Sequence, residues 1–171
     1  MIVLLAGLPG TGKSTLAREL AAHLDAAILS KDEIRQALFA PPDVEYSTAQ
    51  DDFVLQIMLE AAAWLLRKKP DRIVFLDGRP FSRRYQIDQV VDAATKLHQP
   101  WRILECICSD DVARTRIESQ AASGEHPAQN RSFDTYLEVK ANFESITLPK
   151  TTIDTVQPPE DCVTQALNAL R

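Results

Sequence analysis

Gly7-Leu8-Pro9-Gly10-Thr11-Gly12-Lys13-Ser14 fits the pattern GxxxxGK(S/T) at every fixed position. Each fixed residue type answers a need of phosphate chemistry. Glycines let the backbone turn tightly and offer successive N–H groups to phosphate oxygens. The helix that the segment opens, Lys13-Ser14-Thr15-Leu16-Ala17, adds the positive end of its dipole. Lys13 can reach the β- and γ-phosphates of ATP, and the Ser14 hydroxyl suits Mg²⁺. Gly7, Leu8, Pro9, Gly10, Thr11, Gly12, Lys13, Ser14 and Thr15 are therefore expected to bind the nucleotide, with Lys13 also stabilising charge during reaction.

Other candidates follow in chain order. Asp32 stands just past a second apolar run, in Ser30-Lys31-Asp32-Glu33-Ile34-Arg35. Ligands of open α/β sheets gather beyond the carboxyl ends of the strands, so Asp32 is expected to face the phosphate loop. A carboxylate there can take the proton of an attacking hydroxyl. Arg35, three residues on and so on the same helical face, could orient an anionic or polar acceptor. The competing reading leaves Asp32 and Glu33 to complement the helix dipole and Arg35 as a solvated charge. Asp77 ends Ile73-Val74-Phe75-Leu76 and could hold the Mg²⁺ shell together with Ser14. Gly78-Arg79-Pro80-Phe81-Ser82-Arg83-Arg84 brings three arginines and no acid, which suits an anion; Arg79 and Arg83 join Arg35 as acceptor-binding candidates. Arg114, Arg116 and Arg131 flank a stretch of weak periodicity. An arginine on a closing lid neutralises the equatorial phosphate oxygens. Arg114 and Arg116 diverge at helical spacing, so both cannot serve one phosphate. Gln157 is a candidate for the adenine edge.

Short apolar runs alternate with longer amphipathic stretches, the pattern of a parallel sheet with crossover helices. Strands are predicted at 2–6, 26–29, 72–76, 102–107 and 151–155, and helices at 13–24, 31–39, 48–68, 83–98, 110–121, 133–145 and 159–170. Ser30 with Glu33 and Ser47 with Gln50 have capping-box spacing. Ser109 before Asp110 and Asp111, and Pro158-Pro159 before Glu160 and Asp161, mark two more helix starts. Residues 120–131 read as a mobile loop, part of a small lid at about 114–131. Trp64 and Trp101 read as packing.

The 171 residues are one domain's worth of chain, with ordinary shares of hydrophobic (45%) and charged (25%) residues and a net charge of −5. That balance argues against a nucleic-acid groove over the whole surface. No segment could span a membrane, so a cytoplasmic protein is expected. Three cysteines form no disulfide framework; Cys106 and Cys108, two apart in a strand, are expected on one face as buried thiols. The three histidines show no metal-ligand spacing. A guanine-binding switch would carry (N/T)KxD, whereas Thr95-Lys96-Leu97-His98 lacks the carboxylate. Neither a transporter signature helix nor room for the second domain of ring ATPases is present, which leaves a compact kinase.

The phosphate loop at 7–15, Ser30-Lys31-Asp32-Glu33-Ile34-Arg35, Leu76-Asp77 with Arg83-Arg84, and Tyr136 to Phe143-Glu144 together resemble the zeta-toxin and polynucleotide-kinase-like P-loop kinases, a group that includes chloramphenicol phosphotransferase. The chain looks most like that group's small bacterial kinases. The resemblance implies a three-layer α/β/α fold with a five-stranded parallel sheet and a small helical lid. It further implies Asp32 as general base, lid arginines, and transfer of the ATP γ-phosphate to a hydroxyl. It leaves the acceptor open. A small hydroxylated metabolite, sugar or antibiotic is favoured by the acidic balance. A 5′-hydroxyl polynucleotide end is the alternative, and a nucleotide-dependent switch acting through a partner is the third.

Overall fold

A strand with no polar residue, such as Ile2-Val3-Leu4-Leu5-Ala6, must be covered on both faces. The computed structural model, which describes residues 1–123 and 132–171, places it at the centre of one sheet. β1 (Ile2–Ala6) lies between β3 (Ile73–Asp77) and β4 (Trp101–Ile107), with β2 (Ala26–Ser30) and β5 (Thr151–Asp154) at the edges. Every pairing is parallel, in the order β2-β3-β1-β4-β5. Parallel neighbours need crossovers. These are α1 (Lys13–His23), α2 (Lys31–Leu38), α3 (Thr48–Lys68), α4 (Arg84–Lys96), α5 (Asp110–Ser123) and α6 (Phe133–Ala141), and α7 (Pro159–Ala169) closes the chain.

Alternation along β1 divides its side chains between two cores. Ile2, Leu4 and Ala6 pack with Val54 and Met58 of α3 and Ile87 and Val90 of α4. Val3 and Leu5 pack with Leu16, Ala17 and Leu20 of α1 and with Cys162 and Ala166 of α7. The result is a three-layer α/β/α fold of the P-loop kinase type. A smaller cluster, Ala113, Ile117 and Tyr136, joins α5 to α6. Across the same junction the Tyr136 hydroxyl donates to Asp110 at 2.7 Å and Lys140 donates to it at 2.5 Å.

Helix starts use the serines that the sequence marks. Ser30 Oγ accepts from the Glu33 N–H at 3.4 Å, Ser47 Oγ from Gln50 at 3.2 Å, and Ser109 Oγ from Val112 at 3.4 Å. The capping box at Ser47 is only half formed, because the Gln50 side chain accepts instead from the Glu45 N–H at 2.8 Å. β3 runs on to Asp77 because Ser30 pairs with it. α6 stops at Ala141, short of 145: the Glu144 N–H donates to the Ser82 carbonyl at 2.8 Å, and Phe143, Ile146 and Leu148 leave the helix to cover the α3–α4 core. α5 stays helical to Ser123, so part of the expected lid is regular helix, and residues 124–131 lie outside the described residues.

Two expectations are corrected. Cys108 lies past the end of β4 and packs near Ala113 and Tyr136, whereas Cys106 is buried with Val3 and Leu5; the two thiols do not share a core. Trp64 is 57% exposed on the outer face of α3 beside Lys68, whereas Trp101 packs at the core edge. Leu20 is fully buried, so Leu20→Ala should cost about 2–5 kcal/mol. Trp64→Ala should shift stability by less than about 0.5 kcal/mol. Urea unfolding of both variants checks the contrast.

Candidate active site

The chain has six residues, 7–12, in which to pass from buried β1 into α1. Three glycines make the turn, at φ values of 129° (Gly7), 77° (Gly10) and 84° (Gly12). A Cβ on Gly7 would lie 2.2 Å from the Cys106 carbonyl oxygen, and one on Gly10 would lie 2.9 Å from that of Ala113. Inside the loop the Thr11 hydroxyl donates to the Leu8 carbonyl at 2.7 Å. Lys13, 7% exposed, donates through Nζ to the carbonyls of Gly7 (2.8 Å) and Leu8 (2.7 Å). Both carbonyls are neutral acceptors, which an anionic phosphate would outcompete. Ser14 is half-buried in the first helical turn, and Thr15 is exposed beside it. Burial pushes the Cys106 thiol behind the loop up to about 12, so it stays protonated.

The register Ser30–Asp77 sets the ends of β2 and β3 side by side. Gly78 (φ 86°) lets the two ends close: a Cβ there would meet the backbone nitrogens of Lys31 at 3.1 Å and Asp32 at 3.3 Å. Asp32 and Asp77 therefore share the carboxyl edge with the phosphate loop. Asp77 is 4% exposed, and its Oδ1 is buried with no hydrogen-bond partner among the described residues. A buried carboxylate oxygen without a donor is costly unless a cation completes it. Asp77 and the Ser14 hydroxyl supply oxygen donors, the chemistry that would suit Mg²⁺.

Around Asp32 the structure assembles a cluster that the sequence reading only half contained. Arg35 donates through Nη1 to Asp32 at 3.3 Å and through Nη2 to Asp51, in the first turn of α3. Lys31 lies 3.7 Å from Asp32 and donates to Asp51 at 3.0 Å. Arg79 donates through Nη2 to Asp52 at 2.5 Å, and the Tyr85 hydroxyl donates to the same carboxylate at 3.1 Å. The Tyr46 ring centre is 5.3 Å from the Arg35 guanidinium. Burial, only partly opposed by Asp32, pulls Lys31 down to about 8, with Arg35 and Arg79 pushing the same way. Arg83 turns elsewhere, to Glu144 (3.2 Å) and Asn142 (3.3 Å), and the Arg84 N–H donates to Glu144 at 2.7 Å. Arg79 and Arg83 thus take their acids from Asp52 and Glu144, far away in sequence, while the Arg84 side chain lies 3.6 Å from Asp88. Lys31, Asp51, Asp52 and Tyr85 were not singled out from sequence. The acid-free arginine run was the one sign in the sequence that partners had to come from elsewhere.

On the other side of the loop Arg116 donates to Thr155 Oγ1 (2.9 Å), to the Thr155 carbonyl (2.8 Å) and to the Gly10 carbonyl (3.4 Å). It walls a cleft of about 280 Å³ with Gly12, Thr15, Gln120, Thr155 and Gln157. Arg114 diverges from it, as the helical spacing requires, and stacks 4.1 Å from the Phe133 ring centre. Arg131 lies outside the described residues.

This arrangement defines a nucleotide-binding P-loop domain. Residues 2–145 match the AAA_33 family, an AAA domain, and the chain belongs to that family. None of the curated proteins matches the sequence. Among solved structures, a candidate kinase from Chloroflexus aurantiacus superposes with a TM-score of 0.77 at 23% identity, covering 99% of this chain and 98% of that one. A gluconokinase from Sinorhizobium meliloti gives 0.70 at 18% identity, covering 99% and 90%. Kti12 from Chaetomium thermophilum, in complex with ADP-AlF3, gives 0.74 at 16% identity over 100% of both chains. At these identities the likeness is one of fold. No described helix is long and apolar enough to cross a membrane.

Gly7→Ala forces a Cβ into the Cys106 carbonyl, so it should lower Tm and abolish nucleotide binding, as read by calorimetry with ADP. Lys31 supplies a pH signature. Its folded pKa, about 8, lies below the unfolded value near 10.5, so between these pH values the unfolded chain holds the extra proton. The stability of wild type relative to Lys31→Met should therefore rise from pH 8 to pH 10.5, by at most on the order of 3 kcal/mol. Urea unfolding of both proteins across that range reads the difference.

Proposed function

We propose that the protein is an ATP-dependent kinase that transfers the γ-phosphate to a hydroxyl of a small acceptor. The observation that carries this reading is the meeting of Asp32 and Asp77 at adjacent strand ends beside the phosphate loop. Residues Gly7 to Thr15 wrap the phosphates, Arg116 and Gln157 border the base in the cleft, and Arg114 and Arg131 serve the lid. Asp32 accepts the acceptor's proton as its oxygen bonds to the γ-phosphorus. The bond from that phosphorus to the β–γ bridging oxygen breaks, and ADP leaves. Lys13 follows the charge that develops on the phosphate oxygens. Arg35 and Arg79 are the acceptor-side cations, through the buried cluster, whereas Arg83 is taken up by Glu144 and Asn142. Mg²⁺, when held by Ser14 and Asp77, supplies charge neutralisation across the β- and γ-phosphates.

The gluconokinase likeness supports a small acceptor, and the Kti12 complex supports a nucleotide in the loop. We assign the chain, on its sequence motifs, to the zeta-toxin and polynucleotide-kinase-like group. A screen with γ-labelled ATP and Mg²⁺ against sugars, nucleosides, antibiotics and a 5′-hydroxyl oligonucleotide tests the reading. Wild type should label one class of small acceptor. Asp32→Asn should bind ATP equally but transfer at least about 100-fold more slowly. Label only on the oligonucleotide would move the assignment to a polynucleotide kinase. Label only on inorganic phosphate, at equal rates in both proteins, would favour a nucleotide switch.

A further inference from the structure

We infer that the acceptor carries an oxyanion, a carboxylate or a phosphate, which seats against Arg79 and Arg35. The inference rests on the kinase reading and names the class of its acceptor. Arg79 is 1% exposed and Arg35 is 2% exposed. Nε and Nη1 of Arg79 and Nε of Arg35 are buried without an acceptor among the described residues. The neighbouring acids leave these donors unmet: Asp52 takes only Nη2 of Arg79, and Asp51 and Asp32 take the two terminal nitrogens of Arg35. A guanidinium has five N–H donors and no acceptor, and each buried donor left unmet costs on the order of 1–3 kcal/mol. Three such atoms in one cluster describe a site waiting for oxygens.

Charge decides between a neutral and an anionic occupant. Lys31, Arg35 and Arg79 are ion-paired with Asp32, Asp51 and Asp52, three cations to three carboxylates, and the charge of buried Asp77 beside them is left for Mg²⁺. When Asp32 takes the acceptor's proton its charge disappears, and the cluster is left with an excess of one positive charge. An oxyanion carried by the acceptor compensates that excess where burial makes it most expensive.

The backbone around Arg79 is fixed independently. Buried Phe81 is held at φ 54°, a conformation costly for an aromatic residue, and the Pro80 carbonyl accepts the Gly7 N–H at 3.0 Å. Arg79 is thereby tied at a set place relative to the phosphate loop. Backbone strain of this kind persists where the surroundings demand a particular side-chain position.

The test uses acceptor pairs that differ in the anion: D-gluconate against D-glucitol, and D-glucose 6-phosphate against D-glucose. Wild type should prefer an anionic member, and which pair shows the preference separates carboxylate from phosphate. Arg79→Gln should raise the KM for that acceptor about 10–100-fold while the KM for ATP stays in place, with partial rescue by Arg79→Lys. Should Arg79→Gln fail to fold because Asp52 is left unpaired, the double variant Arg79→Gln/Asp52→Asn keeps the pocket neutral and serves instead. Preference for the neutral members would overturn the inference and leave the kinase reading standing. If no acceptor is labelled, the kinase reading falls. Calorimetry with D-gluconate and D-glucose 6-phosphate over Mg²⁺ and ADP then decides: binding that weakens in the variant supports the oxyanion site. Binding equal in wild type and variant, or no binding, removes it.

Discussion

A buried parallel strand and a helix packed on the same sheet can be joined in six residues only if the backbone enters regions that side chains resist. Gly7, Gly10 and Gly12 make that passage, and the rest of the site is set by it. The Gly7 N–H is fixed by Pro80, the Gly10 carbonyl by Arg116, and Gly12 stands against Thr155. The loop is thus anchored to the segment after β3, to α5 and to the end of β5. Each anchor also brings a side chain of the candidate site: Arg79, Arg116 and the bank of the cleft that holds Gln157. The same tight turn delivers Lys13 as the first residue of α1, folded over the loop carbonyls that a phosphate would replace.

A second constraint is electrostatic. Six charged side chains meet at the ends of β2 and β3, and isolated burial of any one would be prohibitive. Pairing makes burial tolerable, and sharing limits it: Asp51 serves both Lys31 and Arg35, each of which also faces Asp32. Removing Asp52 would leave buried Arg79 unpaired, a loss of about 3–5 kcal/mol by precedent. The cluster therefore fixes α2 against α3 as firmly as an apolar contact would. It also keeps Asp32 beside Lys31 and Arg35.

Much of the fold was legible in the sequence, for a local reason. The apolar runs of β1, β3 and β4 are short and continuous, and the serines at 30, 47 and 109 act on N–H groups within three residues. Where the reading went astray, either a distant contact had overridden the local pattern or the helix's own stripe had been misplaced. α6 stops early because Ser82 captures the Glu144 N–H, and Trp64 faces outward because α3 has its apolar stripe at Val54, Leu55, Met58 and Ala62 instead. The site was legible to the same degree. Glycine spacing reveals a phosphate loop because its chemistry is contiguous, whereas Asp51 and Asp52 lie 16 and 27 residues from the arginines they hold. Only the folded chain brings those together. Arg83, read from sequence beside Arg79, is carried to the other side of the segment by Glu144.

A triphosphate in the loop is expected to place its γ-phosphate between Lys13 and Asp32. A crystal structure with Mg²⁺ and a non-hydrolysable ATP analogue tests it most directly. Lys13 Nζ should leave the Gly7 and Leu8 carbonyls for the phosphates. Asp77 and Ser14 should stand on the metal side, and the γ-phosphate should face Asp32. A bound triphosphate with Lys13 still on those two carbonyls, or with its γ-phosphate turned away from Asp32, would contradict the account.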